Sequence, residues 1–163
     1  MANDGVSKVL EQWQRERPEL DISAMGIFGR LARLAKGTEG RLEANFRRYD
    51  LQGSTFDLLA TLRRHGEPFT LNPTQLQQAM MLSSGATTHR IDLLEKRGLV
   101  ERRPDPSDRR GTLIKLTPDG KTLVDEVVVA HLETENELLA GLTEKERREL
   151  TALLRTWAAG LEL

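Results

Sequence analysis

A chain of 163 residues with 30% charged side chains has no apolar run near the roughly 20 residues that cross a bilayer, which excludes a helical membrane protein and leaves room for one compact domain. The absence of cysteine excludes a disulfide framework and thiolate chemistry, and a net charge of −1 excludes a uniformly basic surface. The opening MANDGVSKVLEQ has neither the basic nor the apolar region of a signal peptide, so a cytoplasmic location is expected.

Val6, Val9, Leu10 and Trp13 recur at helical spacing and predict a first helix ended by Pro18. From Ile22 to about Tyr49 a long helix carries Met25, Phe28, Leu31, Leu42 and Phe46, with a kink expected at Gly37 and Gly40. Gly53 breaks the chain, and Ser54 with Asp57 matches the S-x-x-D capping box of a third helix bearing Phe56, Leu58, Leu59 and Leu62. Asn72 as cap and Pro73 as first helical residue open a short helix. Ser83 or Ser84 caps the next, which runs to about Arg97 and stops at a left-handed Gly98. Residues 99–103 and 112–116 read as strands, joined through DPSDRRG. Thr117 and Pro118 start a long helix bearing Val124, Val127 and Leu132. Thr143 with Glu146 caps a last one, striped by Leu150, Leu153, Leu154, Trp157 and Leu161.

The two helices between Asn72 and Arg97 form a helix-turn-helix pattern. In the second of them Thr87, Ile91 and Leu94 mark an inward face. Ser84, Ala86, Thr87, Thr88, His89 and Arg90 are the candidate DNA-contacting residues, suited to base edges and phosphates of a major groove. Arg109 and Arg110 at the tip of the hairpin suit a narrow minor groove. Arg90, Lys96, Arg97, Arg102, Arg103, Arg109 and Arg110 crowd this head, diluted by Asp92, Glu95, Glu101, Asp105 and Asp108, so double-stranded DNA would be held by placement of charge rather than by a broad basic field. His65, His89 and His131 are far apart and no metal-ligand, nucleophile or phosphate-loop motif occurs; no catalytic residue, metal or cofactor is expected. Trp13 offers either a stacking surface for a ligand or an anchor for its helix, and Asp57 either a ligand contact or the third helical residue of a capping box. Arg90 offers a ligand contact, a phosphate contact or an ion pair.

The run GATTHRIDLLEKRGLVERRPDPSDRRGTLIKLTPDG closely resembles the winged-helix signature of the MarR family, the multiple-antibiotic-resistance regulators. The resemblance implies a mainly α fold with a small two-stranded β wing. Residues 1–50 would be an added helix and a dimerisation helix, 51–116 the winged helix-turn-helix and 117–163 the C-terminal dimerisation helices, making one MarR-type domain. It also implies that Asp108 braces the wing and that Arg110 enters the minor groove. The N-terminal helix with its tryptophan, FDLLATLRRHG and THRIDLLEKRGL look like the urate-responsive branch of that family. That likeness implies ligand-binding roles for Trp13, Asp57 and Arg90, with Arg30, and behind it Arg102, as the second arginine. The expected function is a repressor that binds a pseudo-palindromic operator as a homodimer and is released by a small aromatic anion such as urate or xanthine. A regulator answering to phenolic ligands, or to none, is the alternative.

Overall fold

The structure, a computed structural model, describes residues 4–81 and 83–161; the side chain of Arg109 also lies outside the description. Along the chain run α1 (Gly5–Glu16), α2 (Ser23–Arg47), α3 (Gly53–Arg64), β1 (Thr70–Leu71), α4 (Pro73–Met80), α5 (Ser84–Lys96), β2 (Val100–Asp105), β3 (Asp108–Leu116), α6 (Pro118–Leu138) and α7 (Glu144–Gly160). They fall into two units, residues 1–41 and 42–163.

In the first unit Asp4 caps α1 by accepting the Ser7 N–H at 2.8 Å. That bond is the main reason the Asp4 carboxyl sits below the usual carboxylate range. Val6, buried, lies against Gly29 of α2, where a Cβ would come within 3.0 Å of its Cγ1. Arg30 closes the helical hairpin: its Nε donates to Asp4 at 2.9 Å, and Nη2 donates to Asp4 at 3.1 Å and to Ser7 Oγ at 3.0 Å. α2 is one helix through Gly37 and Gly40. Nothing lies within 4 Å of either would-be Cβ, and an open glycine lowers helix propensity by about 1 kcal/mol without removing a hydrogen bond.

In the second unit the capping box of α3 is formed by Gln52 and Thr55, whose Oγ1 accepts the Gln52 N–H at 3.0 Å. Ser54 and Asp57, the pair expected from sequence, each lie two residues further along and do not form it. At the start of α3 Glu43 accepts the Gly53 N–H at 3.1 Å, and a Cβ there would displace the Glu43 carboxylate and press on the Phe46 ring at 3.3 Å. Leu58, Leu59 and Leu62 then point into a core with Leu76, Ile91, Leu94, Ile114, Val124 and Val127.

The sheet has three strands in the order β1-β3-β2, one more than expected. β1 adds Thr70 and Leu71 antiparallel to Lys115 and Ile114. Two residues are too few to show the alternation by which a strand is read. Thr117 caps α6: its Oγ1 accepts the Gly120 N–H at 3.0 Å while its own N–H donates to Leu99 O at 3.1 Å. α6 is tied to α3 through Asp125, which accepts from Lys121 at 2.7 Å and Arg63 at 2.6 Å. Those cations, Lys121 foremost, hold the carboxyl below its ordinary range. α7 starts at the expected Thr143–Glu146 box and has no buried residue; Leu150, Leu153 and Leu154 are 41%, 69% and 45% exposed. Among the described residues no helix is long and apolar enough to cross a membrane.

Candidate nucleic-acid interface

The helix-turn-helix is set by local capping at both ends. Asn72 accepts the Gln75 N–H at 2.8 Å, and Gln75 Oε1 accepts the Asn72 N–H at 2.9 Å, with Pro73 in the first turn. Met81 closes α4 in the left-handed region at φ 53°, and Ser83 caps α5. Along α5, Thr87, Ile91 and Leu94 are 2%, 1% and 0% exposed. Ser84, Thr88 and His89 are exposed on the outer surface, and Ala86 and Arg90 are half-buried. Thr87 therefore leaves the DNA-contacting set: its hydroxyl donates to Ser83 O at 3.1 Å and its methyl fills the core.

The wing is the β2–β3 hairpin, with Val100 opposite Leu116 and Arg103 opposite Leu113. Asp105 holds its turn, accepting from the Ser107 N–H at 2.8 Å and the Ser107 hydroxyl at 2.6 Å. The hydroxyl bond is the main cause of its lowered pKa. Asp108 accepts the Arg110 N–H at 2.9 Å, which orients the backbone that carries Arg110. Gly111 is required here, since a Cβ would sit 2.9 Å from Asp105 Cβ and 3.1 Å from Asp108 Cβ. Arg110 is exposed near the tip; the side chain of Arg109 lies outside the described residues. Asp105 was read from sequence only as a charge diluting the head; the D-P-S turn was its available signal.

The arginines of the head divide into two groups. Arg97 donates to the backbone carbonyls of Tyr49, at 3.3 Å, and Asp50. Arg102 is ion-paired with Asp92 and Glu95, and Arg103 Nε donates to Glu101 at 2.7 Å. Arg90 and Arg110 have no ion pair among the described residues, so their positive charge is open to an anionic partner. The sequence grouped all of these in one head diluted by carboxylates, without showing which arginines those carboxylates hold.

The candidate ligand residues are distributed over both units. In the first, Trp13 is 41% exposed and lines a hollow of about 310 Å³ with Gln12 and Glu16. Arg30 lines a different hollow, with its guanidinium held by Asp4 and Ser7. In the second, Asp57 lies 3.9 Å from Arg64, and among the described residues no ion pair joins it to Arg90. No group of three or more His, Asp or Glu side chains is placed to hold a metal ion among the described residues.

Residues 51–112 match the MarR family profile. The chain is also 40% identical to the HTH-type transcriptional regulator PecS of Dickeya dadantii (strain 3937) over 149 residues, 91% of this chain and 90% of PecS. The chain belongs to the MarR family. It is, with its family, a DNA-binding transcriptional regulator. Among solved structures it resembles a MarR variant from Escherichia coli complexed with operator DNA, with a TM-score of 0.70, 26% identity and coverage of 88% of this chain and 96% of that one. It likewise resembles BpsR of Bordetella bronchiseptica, whose DNA binding is regulated by 6-hydroxynicotinic acid, with a TM-score of 0.71, 26% identity and coverage of 81% and 92%. The exposed side of α5 and the wing of this MarR-family chain are thus the surfaces to weigh against DNA.

Proposed function

We propose that this MarR-family regulator acts as a homodimeric repressor on a pseudo-palindromic operator. α5 enters the major groove through Ser84, Ala86, Thr88, His89 and Arg90, and Arg109 and Arg110 follow the adjacent minor groove. The observation that carries this reading is the division of α5: Ile91 and Leu94 lock one face into the core while Thr88 and His89 stand in solvent on the other. Two such helices about 34 Å apart would read two half-sites. Arg110→Ala is expected to weaken operator binding about tenfold and to make the salt dependence shallower by about one ion. Titrations at several salt concentrations measure this, and a parental slope in the variant rules out the phosphate contact.

The same reading includes release by a small aromatic anion, with urate, xanthine and phenolic acids as the compounds to titrate. The 6-hydroxynicotinic acid that acts on BpsR is of this chemical kind. Trp13 supplies a partly exposed indole on which such a ring can stack. Trp13→Ala is expected to raise the concentration of urate needed for half-release about tenfold while operator affinity stays within about twofold. Release assays on a labelled fragment from upstream of the gene decide it; a variant that answers to urate like the parent ends the stacking role.

A further inference from the structure

We propose that Arg102 is a positioning residue for DNA reading: it clamps the wing to the recognition helix through Asp92 and Glu95 and makes no phosphate contact of its own. Asp92 and Glu95 stand three residues apart on one face of α5, and Arg102 stands near the start of β2. One terminal nitrogen of its guanidinium donates to Glu95 and the other to Asp92, while its backbone N–H donates to Glu95 Oε1 at 3.2 Å. Among the described residues these are the side-chain hydrogen bonds that join α5 to the hairpin, on the outside of a base where Ile91 and Leu94 share the core with Val100, Ile114 and Leu116. The fork sits at the surface with both ends occupied. The Asp92 bond in particular raises the guanidinium pKa further.

The clamp has a mechanical role because helix and wing address different grooves, so the angle between them selects which DNA geometry is bound. A planar fork seated on two carboxylates fixes that angle in a way a single ammonium cannot. It also accounts for two carboxylates within a surface that must approach phosphates. Their cost to the field is offset in part by the arginine they hold, and the positive charge left open falls on Arg90 and Arg110.

The inference rests on the DNA-binding reading, and the sign of one experiment separates it from simple electrostatics. The double variant Asp92→Ala/Glu95→Ala gains two units of positive charge, which on field grounds alone would tighten binding. The clamp requires operator binding to weaken about tenfold with a parental salt slope, and Arg102→Lys to weaken it similarly. Tighter or unchanged binding of the double variant, or a slope shallower by about one in Arg102→Ala, overturns the proposal. A second measurement needs no DNA: amide exchange of residues 100–103 is expected to quicken about tenfold in Arg102→Ala while that of α3 is unchanged. Parental exchange in the wing overturns the clamp even if the chain binds no operator, and faster exchange in a chain that binds none would retire the DNA reading alone.

Discussion

Gly120→Ala is expected to destabilise the protein by about 2–4 kcal/mol, as a fall in the urea midpoint at constant m. A Cβ at this position would overlap the carbonyl oxygen of Leu99 and lie 2.9 Å from its carbon and 3.1 Å from Leu116 Cδ1. The obstructing atoms are backbone, so no side-chain rotation relieves the clash. The same oxygen accepts the N–H of Thr117, at 3.1 Å, and its hydroxyl, also at 3.1 Å. Moving α6 away to admit a methyl group therefore also strains its N-cap, an element worth about 1 kcal/mol. Gly37→Ala is the control of opposite sign: it lies in an open helix interior and should stabilise by about 0.5–1 kcal/mol. Equal effects at the two positions would show that the close approach of α6 to the base of the wing has been misread.

The second large effect is expected from Leu150→Glu/Leu153→Glu, which should leave a folded monomer whose operator affinity is lower by at least about a hundredfold. Neither leucine belongs to the buried core, so the substitution removes little intramolecular packing. A row of exposed leucines on a well-capped helix is a surface that water covers poorly, and a second copy of the chain is the proposed cover. Losing the dimer turns one bivalent encounter into two separate weak ones, a difference of about two to four orders of magnitude. Sedimentation measures the first consequence and operator titration the second. A variant that remains a dimer with parental affinity places the dimer surface elsewhere.

The helices were legible where their starts depend on neighbours a few residues away. Asn72 with Pro73, Ser83, Thr117 with Pro118, and Thr143 with Glu146 each act within one turn. The same local logic failed at α3, where Ser54 and Asp57 fit the pattern but the cap is Gln52, with the Gly53 N–H bonded to Glu43. Nothing nearby in sequence announces that bond. β1 escaped for a similar reason, since its partner β3 lies beyond α4, α5 and β2. At the candidate site, period alone identified the buried side of α5, and it correctly included Thr87 there; assigning that threonine to DNA as well ignored the same period. The division of arginines into internal struts and open charges was illegible because Arg97 and Arg102 find their partners through the folded chain.

The tether at Arg97 is one-sided. Its guanidinium takes the main-chain oxygens of Tyr49 and Asp50, with the Asp50 carboxylate further off at 3.8 Å. Main-chain oxygens are supplied by every amino acid, so the tether itself does not depend on which side chains stand at positions 49 and 50. The arginine has no such freedom, and the joint survives mutation on one bank only.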